Sequence, residues 1–250
     1  MKIPVVYSED FYTDYYTVDC ENPDRISSIY FKIMDMADII EPEPCTIDDL
    51  RLCHSDELIE SVRRKEDVYY VAKKSVGGAI KASEISLNMP SFALIRPPGH
   101  HAGYNFNGGF CFFNNMAIAI KKLLKDGKIN TALIVDIDLH YGNGTYDILK
   151  GDERIRFRNI DAYPRGNFMR DLEDSLKDAD QFDVVGCSAG FDTYIKDWGA
   201  LLTTEDFRTI GNMLASSNSN VFSILEGGYY VPDLGINVRA FLEGIREACS

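Results

Sequence analysis

The sequence predicts an α/β fold in which helices flank a central, mainly parallel β-sheet. Short apolar segments alternate along the whole chain with longer segments of helical periodicity. This alternation is typical of parallel sheets, because the chain must cross back, usually through a helix, between successive parallel strands. Several of the apolar segments lead directly into glycines and into charged or aromatic residues, which favours an active site at the carboxyl edge of the sheet. No linker or internal repeat is evident.

Strands are predicted where apolar and β-branched residues form short runs. The segment that begins at Ala132 is apolar throughout, which indicates a strand buried on both faces. The segment 155–160 alternates apolar and polar residues, which predicts an edge strand. The predicted strands cover residues 3–7, 92–95, 132–135, 155–160, 182–187 and 221–225.

Helices are predicted where apolar residues recur three and four positions apart. Asn22 and Pro23 suit the start of the first helix, as cap and first-turn residue. The prolines of 41–44 predict a stiff connector, and 161–170 is predicted to be a loop. Further helices are predicted to start near Ser55 and to cover 68–87, 114–125, 172–179, 203–214 and 234–248.

Composition and charge narrow the class of protein. The chain has 250 residues with 45% hydrophobic and 26% charged side chains, enough to bury a sizeable core. The net charge of −13 argues against a nucleic-acid surface and is compatible with a cationic substrate. The six cysteines include no Cys-x-x-Cys pair, so neither a zinc finger nor a redox motif is indicated. No apolar run is long enough to span a membrane or to form a signal peptide, and a cytoplasmic protein is therefore expected.

Three polar side chains follow the buried strand at alternate positions: Asp136, Asp138 and His140. Alternate residues of a strand project from one face, so two carboxylates and an imidazole are expected to point the same way. Burying them together is costly unless a cation compensates. The alternative is that the two aspartates cap the next helix and that His140 is an ordinary polar residue.

Other strand ends carry groups that can join this set. Asp138 and His140, together with Asp192, would form an open site of three protein ligands, the pattern of catalytic zinc, although iron(II) or another divalent ion is equally compatible with oxygen and nitrogen donors. The tandem histidines His100 and His101 lie on a loop stiffened by prolines and are candidates for general base and acid. Two further residues have supporting roles: Asp136 as a partner that orients one histidine, and Tyr229 as a hydrogen-bond donor to a developing oxyanion.

A serine hydrolase is a weaker interpretation of the sequence. The segment 186–190 matches the G-x-S-x-G motif of serine hydrolases and follows a strand, but that fold needs a histidine downstream of Ser188, and His140 is the last histidine in the chain. Ser188 is therefore expected to shape a turn that presents Asp192. His54 lies apart from the other histidines and is expected to be structural.

Five ordered motifs resemble the zinc-dependent histone deacetylase and acetylpolyamine amidohydrolase family, which has the arginase-like three-layer α/β fold. The motifs extend over nearly the whole chain, so the resemblance implies one catalytic domain over residues 1–250. They are Arg96-Pro-Pro-Gly-His-His-Ala102, Gly109-Phe-Cys-Phe-Phe-Asn-Asn115, Val135-Asp-Ile-Asp-Leu-His-Tyr-Gly-Asn-Gly-Thr145, Ser188-Ala-Gly-Phe-Asp192 and Glu226-Gly-Gly-Tyr229.

The resemblance implies a deacetylase that hydrolyses the amide of an acylated amine, such as acyl-lysine or acylpolyamine, with water activated by zinc. It assigns the metal to Asp138, His140 and Asp192, and catalysis to His100, His101, Asp136 and Tyr229. It adds Asn143 behind His101, Gly109 and Phe110 in the wall of the acyl-lysine tunnel, and a structural potassium ion near the strand of Asp136. The expected partner is a small acylated amine or an acyl-lysine peptide.

The chain departs from the family pattern mainly between residues 163 and 183, which is shorter than usual and normally contributes a wall of the tunnel. Phe168 is the candidate for the second aromatic wall residue.

Two other functions remain to be weighed. A two-metal arginase or agmatinase would need more ligands than the strand ends supply. A non-enzymatic protein that binds an acylated ligand is the other alternative.

Overall fold

A single seven-stranded sheet forms the centre of the computed structural model, which describes residues 2–249. All of its strand pairs are parallel, as the sequence predicted, and their order is β2-β1-β3-β7-β6-β4-β5. The strands are β1 (Ile3–Val6), β2 (Ala37–Ile40), β3 (Ser91–Ala93), β4 (Ala132–Asp136), β5 (Ile155–Asn159), β6 (Val184–Ala189) and β7 (Val221–Leu225).

Helices cover the sheet and connect its strands, which confirms the expected α/β class. One set, α1, α8 and α9, packs together, and α4 packs against α5. Within residues 2–249, no helix has the length and the apolar character needed to cross a membrane. The helices are α1 (Asp24–Ile33), α2 (Ile47–Leu50), α3 (Asp56–Arg63), α4 (Glu66–Ser86), α5 (Asn115–Lys125), α6 (Asn143–Leu149), α7 (Arg165–Leu176), α8 (Thr204–Ser217) and α9 (Val231–Ala248).

The alignment of four adjacent strands positions the candidate site. In the order β3-β7-β6-β4, Ala93 is paired with Ile224, Ala189 with Leu225, and Asp136 with Ser188. Since the strands are parallel and in step, their carboxyl ends lie side by side at one edge. Every residue of β4 is buried, so its apolar run is held between β5 and β6 as the sequence indicated.

The strand β2 (Ala37–Ile40) was not predicted from the sequence. It pairs with β1 at one edge of the sheet, and three of its four residues are partly or fully exposed. A strand this short with a weak apolar pattern has little local signal, because its pairing with β1 defines it. The other edge strand is β5, as predicted.

The segment 161–170 is not a loop throughout, contrary to the prediction, because α7 begins at Arg165. Pro164 precedes the helix, and the guanidinium of Arg165 pairs with the carboxylate of Asp206 near the start of α8. Phe168 and Leu172 are spaced one turn apart and are both buried. The helix is therefore stabilised by tertiary contacts that outweigh the poor helix propensity of the Gly-Asn pair near its start.

Candidate active site

The candidate site lies at the carboxyl edge of the sheet, where loops from four adjacent strands meet. His100 and His101 follow β3, Asp138 and His140 follow β4, and Asp192 follows β6, while Tyr229 follows β7. The structure therefore brings together the histidines, carboxylates and tyrosine that the sequence analysis selected.

Asp138, His140 and Asp192 form a compact group in which ligand atoms lie within 4.8 Å of one another. Nδ1 of His140 lies 3.2 Å from Oδ1 of Asp138 and 3.0 Å from Oδ2 of Asp192. Both aspartates are buried, whereas the side chain of His140 is partly exposed to solvent. One nitrogen and two carboxylates facing one point are a donor set suited to a divalent cation.

The electrostatics of this group also fit a cation. Oδ2 of Asp192 is buried and has no hydrogen-bond partner among residues 2–249. Burial and the negative charge of Asp138 together raise the pKa of Asp192 to about 7. The carboxylates of Asp138 and Asp192, which both face Nδ1 of His140, raise the pKa of this imidazole to about 10. The two buried carboxylates thus share the imidazole of His140, and Asp138 also faces the imidazole of His100 at 3.7 Å. A bound divalent ion would satisfy both carboxylates.

Backbone groups hold the carboxylates in place. Leu139 donates its N–H to Oδ1 of Asp192 at 3.0 Å, and Gly227 donates its N–H to Oδ2 of Asp138 at 2.9 Å. A Cβ atom at Gly227 would lie 2.6 Å from Oδ2 of Asp138 and 2.9 Å from Oδ2 of Asp192. Glycine is therefore required at 227, because any side chain there would collide with both carboxylates.

The tandem histidines are oriented by different partners. Nδ1 of His100 lies 3.0 Å from Oδ2 of Asp136, whereas Nδ1 of His101 lies 2.7 Å from Oδ1 of Asn143. The centroids of the two rings are 4.0 Å apart. An amide oxygen only accepts hydrogen bonds, so Nδ1 of His101 carries the proton and its Nε2 is the free acceptor.

The two histidines also differ in pKa. Burial lowers the pKa of His100, but the charges of Asp138 and Asp136 outweigh burial and raise it well above its ordinary value. Burial and the proximity of His100 lower the pKa of His101 to about 4. Adjacent groups whose pKa values are driven apart are suited to hold a proton and to accept one.

Glu226 positions the loop that carries the histidines, a role that the sequence analysis did not assign. It is fully buried, and its Oε2 accepts hydrogen bonds from the backbone N–H of Gly99 at 2.7 Å and of His100 at 3.2 Å. Its Oε1 accepts a hydrogen bond from Ser188 at 3.2 Å. Ser188 is buried at the end of β6, consistent with a structural role rather than that of a nucleophile.

Arg25 binds the backbone of the loop that carries Tyr229. Its guanidinium lies 4.9 Å from the centre of the Tyr229 ring and donates hydrogen bonds to the carbonyl oxygens of Gly228 and Glu226. Burial raises the pKa of Tyr229 well above that of a free phenol, against the opposing charge of Arg25. The phenol is therefore protonated at neutral pH and can donate a hydrogen bond.

Gly109 and Phe110 lie beside His101 and Tyr229. A Cβ atom at Gly109 would lie 2.2 Å from the His101 ring, and the φ of Gly109 is +54°. Phe110 has a φ of +68°, which is uncommon for a residue with a bulky side chain. Its ring meets the ring of Tyr229 edge-on, with centroids 5.8 Å apart.

Phe168 does not face this site. Its side chain is 1% exposed and packs in the hydrophobic core beneath α7, so the prediction that it forms a tunnel wall is wrong. Another aromatic side chain does lie against the site: the ring of Trp198 stacks on that of Tyr229, with centroids 4.3 Å apart and an angle of 24° between the planes. The sequence analysis missed Trp198, although it is the single tryptophan and lies six positions after Asp192.

His54 lies outside this group, as predicted. It is buried, its Nδ1 is 2.8 Å from the carbonyl oxygen of Gly103, and its Nε2 accepts a hydrogen bond from the backbone N–H of Asn114 at 2.9 Å. Both ring nitrogens thus form hydrogen bonds that stabilise the loop preceding α5.

Comparison with known proteins identifies the family. The model of the histone deacetylase domain matches residues 19–179. Acetylpolyamine amidohydrolase from Mycoplana ramosa is 33% identical over 213 residues, which cover 70% of this chain and 62% of that enzyme. The chain thus spans less than two thirds of the Mycoplana enzyme. A probable deacetylase from Methanothermobacter thermautotrophicus is 28% identical, with 90% of this chain and 85% of the relative aligned.

Solved structures share the fold. Acetylpolyamine aminohydrolase from Burkholderia pseudomallei superposes with a TM-score of 0.85 at 19% identity and 99% coverage of both chains. The HD domain of HDA15 superposes with a TM-score of 0.89 at 21% identity, over 99% of this chain and 90% of that domain. The arginase-like α/β architecture expected from the motifs is thereby confirmed. Because the family model matches 161 of the 250 residues, from 19 to 179, the chain belongs to the histone deacetylase family.

Proposed function

We propose that this protein is a metal-dependent amidohydrolase that removes the acyl group from an acylated amine, such as acyl-lysine or an acylpolyamine. The observation that carries the proposal is the buried Oδ2 of Asp192, which accepts no hydrogen bond within residues 2–249 and lies 3.0 Å from Nδ1 of His140. Beside it lie two histidines with opposite pKa shifts. Family membership supports the same chemistry. The whole of residues 1–250 is proposed to act as one catalytic domain.

Asp138, His140 and Asp192 are the proposed ligands of one divalent ion. Two carboxylates and one imidazole suit Zn²⁺, and Fe²⁺ is also compatible with them. When bound, the ion would supply Lewis-acid activation of water and of the acyl carbonyl. A structural potassium ion near the strand of Asp136 is part of the proposal on the strength of the family resemblance.

The histidines divide the proton transfers. His101 is neutral, and its Nδ1 donates a hydrogen bond to Asn143, so its Nε2 is unprotonated. This Nε2 is proposed to accept the proton of the attacking water. Asp136 and Asp138 favour the protonated form of His100, which is proposed to give its proton to the leaving amine. Each histidine thus has its partner in place before the substrate binds.

Tyr229 is proposed to donate a hydrogen bond to the acyl oxygen as negative charge develops there. Its high pKa keeps the phenol protonated, and Arg25 holds the preceding backbone at Gly228. Gly109 and Phe110 line the approach to the acyl group. The expected substrates are small acylated amines or acyl-lysine peptides.

A two-metal ureohydrolase is not favoured by the described residues. The second cluster with metal-ligand chemistry consists of His100, Cys111 and Glu226. Burial raises the pKa of Cys111 well above that of a free thiol, so this cysteine is protonated. Nδ1 of His100 is bound to Asp136, and both oxygens of Glu226 accept hydrogen bonds. Nδ1 of His100 and the carboxylate of Glu226 are thus already engaged in hydrogen bonds within the protein.

The proposal is tested by assaying acylated lysines and polyamines with protein that has been stripped of metal and reloaded with Zn²⁺, Fe²⁺ or Co²⁺, and by elemental analysis that includes potassium. We expect one divalent ion per chain and metal-dependent release of acid. Asp192→Ala should lose metal and activity together. Asp38→Ala, which removes an exposed carboxylate from the edge strand β2, should lose neither.

Two results would contradict the proposal. Hydrolysis that persists in the metal-free protein would exclude the role of the ion. Tight binding of acylated amines without turnover under any metal would favour a non-enzymatic binding protein on the same fold.

A further inference from the structure

Trp198 is held at a fixed position beside the site. It lies in the segment 193–202, which leaves Asp192 and folds back on itself through hydrogen bonds from the N–H groups of Leu201 and Leu202 to the carbonyl oxygen of Thr193. Gly199 donates its N–H to the carbonyl oxygen of Asp192 at 2.8 Å. The indole is therefore carried by a closed turn that is anchored on a proposed metal ligand.

The indole contacts two residues of the site and still faces solvent. One face stacks on the ring of Tyr229, and the ring of His140 lies 5.8 Å away at 89°. About half of the Trp198 surface, 52%, is nevertheless exposed. A large aromatic side chain that is rigidly held next to reactive groups, with half of its area open, offers an apolar surface that a ligand can cover.

Phe168, the candidate for the second aromatic wall, does not supply this surface. It lies on α7, within the shortened segment 163–183, and its side chain is buried in the core. Phe110 contacts Tyr229 from its edge, and Trp198 contacts it from its face. Phe110, from the loop before α5, and Trp198, from the turn after Asp192, thus both contact Tyr229.

We propose that Trp198 is a substrate-contacting residue that forms a wall of the entrance and sets the preference for the amine. This inference rests on the proposed function. The indole packs against the methylene chain of a linear acylated amine, and its π-face attracts an ammonium group further along the same chain. Acylated diamines and acyl-lysine side chains have this chemistry, whereas a short neutral acylamide lacks the chain that the indole would cover.

The first test is direct binding, and it does not require turnover. Since Trp198 is the sole tryptophan, its fluorescence reports on this position alone. We expect saturable changes in emission when N-acetyl-1,4-diaminobutane or an acetyl-lysine peptide is added to the zinc-loaded Tyr229→Phe protein. The same concentration of N-methylacetamide should leave the emission unchanged.

The second test is kinetic. Trp198→Ala should raise KM for N-acetyl-1,4-diaminobutane about 10–100-fold, the scale of a lost apolar contact, with a smaller effect on kcat. Trp198→Phe keeps an aromatic face and should stay within about threefold of the wild type, by the same argument. Phe31→Leu removes another exposed aromatic ring, on α1, and is the matched control.

The outcomes separate this inference from the proposed function. One result is that the wild type hydrolyses acylated amines while KM is unchanged in Trp198→Ala, or while the substrate leaves the tryptophan emission unchanged. Either result would overturn the role of Trp198 and leave the proposed function intact. Saturable emission changes without hydrolysis by the wild type would support the contact and overturn the function. Neither binding nor hydrolysis would overturn both.

Discussion

Oδ2 of Asp197 lies 2.6 Å from the backbone nitrogen of Tyr229. The same oxygen also accepts the N–H of Tyr230 at 2.7 Å, at the start of α9. Asp197 thereby ties the turn that carries Trp198 to the loop that carries Tyr229. A carboxylate close to the N-terminus of a helix is also electrostatically favourable.

We predict that Asp197→Ala lowers kcat about 10–100-fold with little change in KM, because small displacements of a catalytic group are costly. Loss of the hydrogen bonds to the backbone of Tyr229 and Tyr230 should also lower the free energy of unfolding, by about 1–2 kcal/mol. Asp197→Asn keeps an acceptor oxygen and should recover most of kcat. Steady-state kinetics and denaturant unfolding measure both effects. A normal kcat in Asp197→Ala would show that Tyr229 does not depend on this contact.

Tyr229→Phe removes the proposed hydrogen-bond donor and keeps the ring that stacks on Trp198. We predict that kcat falls about 10²–10³-fold, as for loss of one oxyanion donor, while metal content and melting temperature stay nearly constant. Tyr230→Phe is the control, since the ring of Tyr230 packs beside Tyr194. If Tyr230→Phe were the impaired variant, the assignment within this loop would be wrong.

His101→Ala is predicted to lower turnover about 10²–10⁴-fold, the usual contribution of a general acid or base, and to leave the divalent ion bound. The reason is that His101 contacts Asn143 and lies outside the group of Asp138, His140 and Asp192. Kinetics and elemental analysis on the same preparation check the prediction. A rate within a few-fold of the wild type would remove His101 from the mechanism.

His54 predicts an acid-sensitive stability. Burial lowers its pKa to about 4, from an ordinary value of 6.5. Between these values the unfolded chain binds a proton that the folded chain does not, so the contribution of His54 is complete above pH 6.5 and is lost as the pH falls towards 4. From the shift of pKa, the loss between pH 8 and pH 5 amounts to about 2 kcal/mol.

The measurement is denaturant unfolding of the wild type and of His54→Gln at both pH values. The variant removes the titrating group, so its free energy of unfolding should change less between pH 8 and pH 5. Equal pH dependence in the two proteins would show that His54 does not stay neutral in the folded state.

The sequence alone was sufficient for the class of fold and for the candidate ligands. Strand burial is a local property, and the apolar run from Ala132 therefore predicted β4 correctly. Alternation along a strand is also local, so Asp136, Asp138 and His140 could be placed on one face before any contact was known. The parallel arrangement then predicted that Asp192 and the other strand ends would converge, because all carboxyl ends lie at one edge.

Tertiary structure decided which other side chains support the site. Glu226 reaches the backbone of His100, 126 positions away, and Arg25 reaches the carbonyl of Gly228, 203 positions away. Local patterns carry no information about such partners, because these hydrogen bonds exist only after the loops have been brought together by the sheet. Glu226 belongs to one of the five motifs, yet its role follows only from its contacts.

Phe168 and Trp198 show the same division for the wall of the site. Phe168 lies in the segment expected to form a wall, whereas Trp198 follows the predicted ligand Asp192 by six positions, and composition does not distinguish the two aromatic residues. Packing does: Phe168 lies on the apolar face of α7 and is buried in the core, whereas the closed turn after Asp192 leaves Trp198 half exposed against Tyr229. The sequence determined the chemistry available at the sheet edge, and long-range packing determined which side chains surround it.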